Sequence, residues 1–277
     1  MRRSLFCIFV AVFLVSGYKV YNYSQENAKA NAAYDGLRVV AQRDTIAKTE
    51  EEIQNREIAV AGSGATGQEQ APLDLDNPVT GNDGNSQKRA CSMDFTALQG
   101  LNPGIVGWIR AEGTGIDYPV MRADNNDYYL NHLYDGTKNS SGSIFMDYRN
   151  NPSLEDRNLV IYGHHMKNGT MFAALEEYKA QDFYEVNPYM TLYTPDGDYR
   201  IELICGTIED GNRGFMQFDF PDDQALISYV EGFRSRSMFT SEVQLQPGDR
   251  IISLCTCSYE WANARFMLIG RLVPVFE

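Results

Sequence analysis

The chain opens on a basic step, Met1-Arg2-Arg3, followed by an apolar run from Leu5 to Val15. Arginines ahead of an apolar run are the charge asymmetry of an exported segment. Extended through Tyr18, Val20 and Tyr23, the run covers roughly 28 Å at about 1.5 Å per residue, close to one hydrocarbon thickness. Tyr18, Tyr21 and Tyr23 would then sit at headgroup level, where amphipathic rings are favoured. Two readings of residues 1–23 stand, a retained membrane anchor or a signal segment cleaved near Val15-Ser16-Gly17. Both export the rest of the chain. From 24 to 58 polar residues dominate, with Ala30, Ala33, Leu37, Val40, Ile46 and Ile53 scattered among them. That spacing predicts one or two solvated helices. Residues 59–90 are rich in Gly, Ala, Asn, Asp, Gln and Pro, a composition unable to build a core. Residues 24–90 are therefore expected to form an extracellular spacer, helical and then flexible.

From Cys91 to the end the texture changes to short β-rich runs separated by turn residues. Strands are predicted over Val106–Arg110, Tyr118–Met121, Ser143–Asp147, Leu159–Gly163, Met190–Thr194, Tyr199–Ile208, Arg250–Thr256 and Arg265–Val273. Pro195-Asp-Gly-Asp198 is a hairpin turn. Helices are predicted over Asp127–Leu133, Thr170–Tyr178 and Asp222–Arg236. In the last, Ala225, Leu226, Tyr229, Val230 and Phe233 recur at helical spacing, as a packing face does. A mainly β domain over 91–277 follows, and about eight strands with few helices point to a closed β-barrel with helical insertions.

Composition narrows the function classes. The 277 residues are 43% hydrophobic, enough for one sizeable core plus appended segments. The formal net charge of −13 and the lack of a basic patch argue against nucleic acid as a partner. Five cysteines (Cys7, Cys91, Cys205, Cys255, Cys257) do not form a disulfide framework, and the one close pair, C-x-C, has no second ligand pair at zinc spacing. No metal site and no cofactor are expected. With three histidines, His132, His164 and His165, a catalytic imidazole has few candidates.

The chemistry gathers near the C-terminus. In Arg250-Ile-Ile-Ser-Leu-Cys-Thr-Cys257, period-two alternation puts Ile251, Ser253, Cys255 and Cys257 on one face. A seven-residue loop does not fix the register, but a symmetric antiparallel return through Ser258 to Ala264 would set Arg265 opposite Cys257, with Cβ atoms about 5 Å apart. A nearby cation favours the thiolate, which is the nucleophilic form. Arginine stays charged and can also hold an oxyanion. Taken singly, Cys257 reads as an inert buried thiol and Arg265 as half of a surface ion pair, for instance with Glu260. A second element, Asn158-Leu-Val-Ile-Tyr-Gly-His-His165, runs an apolar strand into Gly163 and a histidine pair, either of which is a candidate acid–base group.

Together these segments resemble the sortase family. Ser253-Leu-Cys-Thr-Cys257 is similar to the Thr-Leu-x-Thr-Cys signature, with Arg265 in place of the family's arginine. Ile161-Tyr-Gly-His164 resembles the segment that carries the sortase histidine. Gly107-Trp-Ile109, Ile116-Asp-Tyr-Pro-Val120, Asp127-Tyr-Tyr-Leu130 and Gly142-Ser-Ile-Phe-Met-Asp-Tyr-Arg-Asn150 are similar to class B members. The resemblance spans roughly residues 95–275. It implies a sortase-type barrel and a cysteine transpeptidase, with Cys257, His164 and Arg265 as catalytic residues. It also implies Asn126, Leu130, Phe215, Met216 and Thr256 as substrate-binding residues. The implied substrates are secreted proteins carrying a C-terminal sorting signal, cleaved after Thr. The acceptor is an amine of a peptidoglycan precursor, or a lysine of a pilin subunit in a polymerising member. The implied place is the Gram-positive cell surface, with a single-pass anchor and the catalytic domain outside. A hydrolase that cuts without ligating and a non-enzymatic exported binding module are the alternatives. Two departures stand out: Ser253 replaces the signature's threonine, and Cys255 fills its variable position. Cys255 reads either as a small packing residue or as a partner for Cys257 in an oxidative link.

Overall fold

The computed structural model describes residues 2–62 and 89–276. A single helix, α1, runs over Arg2–Gly62. It is not solvated all round, as its polarity led us to expect. Asn27, Ala30, Tyr34, Leu37 and Ala41 recur at steps of three and four and are buried against the domain that follows. The stripe was hidden because Leu37 is its one large aliphatic residue, among two alanines, an asparagine and a tyrosine. Phe9, Val12, Phe13, Leu14 and Val15 are exposed on the helix, and no helix among the described residues is long and apolar enough to cross a membrane. Most of the spacer expected over 59–90 lies outside the described residues. Its first positions continue α1, and Arg89 near its end bridges to Phe276.

After a short helix α2 (Phe95–Leu101), eight strands follow. They are β1 (Ile105–Arg110), β2 (Asp117–Met121), β3 (Ile144–Met146), β4 (Asn158–Tyr162), β5 (Tyr189–Tyr193), β6 (Tyr199–Asp210), β7 (Arg250–Cys257) and β8 (Ala264–Pro274). They close into a barrel in the order β1-β2-β3-β4-β7-β8-β6-β5. All eight coincide with the predicted runs to within a few residues. Alternate positions, among them Ile109, Val120, Ile144, Ile161, Leu192, Leu203, Leu254 and Phe266, fill the interior.

The opposite face of β6–β8 is buried as well. A further short helix, α3 (Gln181–Val186), precedes β5, and a longer one, α4 (Asp223–Arg234), precedes β7. Helix α4 lays Leu226, Val230 and Phe233 over Ile204, Cys205, Ile251, Met267 and Ile269. That is why β7 reads as a nearly unbroken apolar run. The Asp222 carboxylate caps α4, accepting from Ala225 N at 2.8 Å.

Two predicted helices are tight 3-10 turns instead, Tyr128–Leu130 and Ala173–Lys179. In the first, the Asn125 side chain accepts from the amides of Asp127 and Tyr128, and the chain leaves after one turn. In the second, Gly169 and Met171 take positive φ (81° and 60°), which bars a helix from starting at Thr170.

Candidate active site

The topological feature that makes the site is the parallel pairing of β4 with β7, which sets Tyr162 beside Cys255. The alignment continues past the end of β4. Gly163 N donates to Cys255 O at 3.1 Å, and Thr256 Oγ1 donates to Gly163 O at 2.8 Å across 93 residues of sequence. The next residue on each chain is His164 and Cys257. On the other side β8 pairs antiparallel with β7, and Cys257 lies directly across from Arg265. The symmetric register assumed from the sequence is the register found. A single strand end therefore has an imidazole on one flank and a guanidinium on the other.

Each of the two titrating side chains alters the other. Hydrogen bonding with His164 draws the Cys257 thiol below its ordinary range, against the opposing effect of burial, and the Arg265 charge adds to the lowering. The same interaction raises His164, again against burial, and the Leu130 carbonyl reinforces it. Both shifts favour thiolate beside imidazolium. His164 Nε2 lies 2.7 Å from Leu130 O. A carbonyl only accepts, so Nε2 carries a proton and Nδ1 is the nitrogen left for the thiol. The orienting partner that a carboxylate supplies in many catalytic triads is here a backbone oxygen. Nothing in a sequence marks a carbonyl for that task, and sequence reasoning missed it.

Arg265 has no carboxylate within ion-pair distance among the described residues. Its guanidinium donates to the carbonyl of Ala264. Glu260, the partner considered from sequence, binds Lys179 instead, and Ser258 joins the same cluster together with Glu176. Burial works against charge on Glu260, but Lys179 and Ser258 prevail and hold its carboxyl at about 2. The cluster ties the residue after Cys257 to the Ala173–Lys179 turn and leaves the guanidinium of Arg265 free to meet an anion. His165 faces the other way: its Nδ1 lies 3.2 Å from the Cys257 carbonyl, and its ring packs on Tyr259.

A cleft of about 250 Å³ opens over this strand end. His164, Cys257, Arg265 and Thr256 line it, with Asn126 and Leu130 opposite. Thr256 is buried and its hydroxyl is committed to Gly163. Asn126 is fixed from below, donating to Asp147 Oδ2 at 3.0 Å and accepting from Tyr148 N at 3.0 Å. Asp147 is fully buried. Burial opposes its charge, but bonds from Arg149, Asn126 and Tyr162 outweigh that and hold its carboxyl low. This support was not foreseen, although Asp147, Tyr148 and Arg149 stand within a segment singled out from sequence. Phe215 and Met216 are not in the cleft wall. They are half-buried against the cluster beneath α4, and Phe215 O accepts from Tyr229 Oη at 3.1 Å.

Cys255 lines the cleft at 3% exposure, and burial pushes its thiol up to about 12. It is a protonated, small side chain in the wall, and both it and Cys257 are free thiols.

The sortase domain model matches residues 109–273, which takes in the whole barrel apart from most of β1. The chain belongs to the sortase family. It is a cysteine transpeptidase. The sortase is 37% identical over 178 residues to sortase B of Listeria monocytogenes, covering 64% of this chain and 72% of that one. It is similar to a Staphylococcus aureus sortase B–substrate complex at 32% identity and a TM-score of 0.62, covering 65% of this chain and 85% of that one. A structure of sortase B complexed with triglycine matches as closely, at 32% identity and a TM-score of 0.62 over 65% of this chain and 86% of the other.

Proposed function

We propose that this sortase cleaves a C-terminal sorting signal of secreted proteins after Thr and transfers the acyl group to an amine of peptidoglycan. The observation that carries the reading is the Cys257–Arg265 register beside His164. The Cys257 thiolate attacks the threonine carbonyl carbon, and the Arg265 guanidinium receives the oxyanion. The C–N bond then breaks, and the His164 imidazolium gives its proton to the departing amine, leaving a thioester on Cys257. An incoming amine attacks the thioester carbonyl, His164 takes its proton, and the thiolate departs. Thioester chemistry suits transfer, because an amine competes well with water for that acyl group. The relatives solved with substrate and with triglycine support a peptide in the cleft and an amine as acceptor.

Asn126, Leu130 and Thr256 form the part of the wall assigned to substrate. Phe215 and Met216 belong to this set on resemblance alone. The apolar run after Arg2-Arg3 supports attachment to the cell membrane, with the catalytic domain outside.

A panel of fluorogenic sorting peptides, supplied with and without a glycine peptide, tests the reading. Wild type is expected to give ligated product. Cys257→Ala and His164→Ala should be inactive, and Arg265→Ala should lose about 10²–10³-fold in kcat. Equal turnover by wild type and Cys257→Ala would overturn the assignment. Hydrolysed product alone, with amine present, would make the enzyme a protease rather than a ligase.

A further inference from the structure

Besides its interaction with Cys257, His164 is oriented by a hydrogen bond to Leu130 O, which lies in a short turn rather than a strand. What holds that carbonyl in place is a second loop. Gly142 has φ +55°, and a Cβ built on it would come within 2.5 Å of Tyr129 O and 2.7 Å of Leu130 O. The backbone at Gly142 therefore lies directly on the two carbonyls. Further bonds fasten the two segments on either side: Ser143 N to Tyr129 O at 2.9 Å, Ser143 Oγ to His132 O at 2.9 Å, and Asn139 N to Asn131 O at 2.9 Å.

This second loop is gripped in turn by α1. Tyr34, 1% exposed, donates its hydroxyl to Gly142 O at 2.8 Å and sits 3.1 Å from Ser143 Oγ. Two helical turns before it, Glu26 O accepts from Asn139 Nδ2 at 2.9 Å. A continuous set of contacts thus runs from the N-terminal helix through Gly142 to Leu130 O and the imidazole. Tyr34 is not in the cleft wall.

We propose that Tyr34 is a positioning residue for His164, acting through Gly142 and the Leu130 carbonyl. The helix that precedes the catalytic domain is then part of the catalytic support, and the imidazole is correctly set only when α1 is docked. The inference rests on His164 and Cys257 acting as proposed above. It predicts that loosening the Tyr34 contact weakens the His164–Cys257 interaction without touching substrate.

The test uses the full chain and two readouts that need no substrate. They are the pH dependence of Cys257 alkylation by iodoacetamide and the ring-nitrogen NMR shifts of His164. Tyr34→Phe keeps the ring on Tyr118, with which it packs edge to face at 5.2 Å, and removes only the hydroxyl. It should move the alkylation profile to higher pH and change the Nε2 shift, while kcat for peptide transfer falls about tenfold at little-changed KM. Gly142→Ala should do the same more strongly, by pressing on the Leu130 carbonyl. Arg38→Ala is the control. Arg38 docks α1 on Asp117 and over the Tyr118 ring that Tyr34 also packs on, but it bonds to neither Gly142 nor Ser143, so its loss should lower the melting temperature and displace the profile less than Tyr34→Phe does. Unchanged profiles in Tyr34→Phe and Gly142→Ala would overturn the proposal, and so would an equal displacement in Arg38→Ala. Failure of the nucleophile assignment would instead show as activity in Cys257→Ala, with these readouts unaffected.

Discussion

Thr256 Oγ1 donates to Gly163 O at 2.8 Å, joining the residue before Cys257 to the residue before His164. This buried hydroxyl, with the Gly163 N–Cys255 O bond beside it, sets the spacing of the two groups that exchange a proton in the proposed reaction. Thr256→Val keeps the shape and removes the donor, leaving a buried carbonyl without that partner. The expected cost is about 1–3 kcal/mol in thermal unfolding, and kcat should fall about tenfold because the imidazole shifts with Gly163. Unaltered stability together with unaltered kcat would show that the strand ends are held by the backbone alone.

The pH behaviour of Cys257 follows from its surroundings. Its thiol is lowered and His164 is raised, so the thiolate form is populated at a lower pH than for an ordinary cysteine. The rate of alkylation by iodoacetamide should therefore climb at correspondingly low pH in the wild type. In His164→Ala the first cause of the lowering is gone, and the midpoint should move up towards the usual thiol value. In Arg265→Ala it should also move up, but less, since the guanidinium is the smaller contributor. A midpoint that stays fixed in His164→Ala contradicts the pairing.

Cys255 gives a contrast within the same wall. Burial pushes its thiol up to about 12 and covers it almost wholly, and Cys205 is held similarly. Brief labelling at neutral pH should modify Cys257 and spare Cys205 and Cys255 until the protein unfolds, as peptide mass mapping would show. Cys255→Ser should retain near-normal transfer, because the side chain acts by its size. Rapid labelling of Cys255 in folded protein would contradict that burial.

Much of this site was legible in the sequence, for local reasons. Alternation fixes which residues of a strand share a face, so the eight strands and the faces of β7 and β8 could be read directly. The register of Cys257 with Arg265 had to be assumed, because a seven-residue loop does not fix it, and the pairing found agrees with the assumption. The parallel placement of β4 against β7 is a different matter. A crossover that runs from Tyr162 to Arg250 leaves no periodic trace, and the nearness of His164 to Cys257 came only from resemblance. The Leu130 carbonyl had no signal at all, because backbone oxygens carry no residue type. The docked face of α1 was obscured for another reason: a stripe of Ala30, Tyr34, Leu37 and Ala41 has too few large apolar residues to stand out from a polar helix.

The crossover between β4 and β7 has a consequence for when the enzyme becomes dangerous. Gly163 and Thr256 stand at the ends of strands that are neighbours in the barrel but are separated in sequence by β5, β6 and α4, so the site is among the most non-local features of the chain. Until β4 and β7 pair, Cys257 has no imidazole beside it and lacks the hydrogen bond that is the first cause of its lowered thiol. Closure of the barrel thus serves as a safety catch. A chain still folding lacks the imidazole that activates its nucleophile, and acyl transfer begins only when the strands that carry His164 and Cys257 have paired.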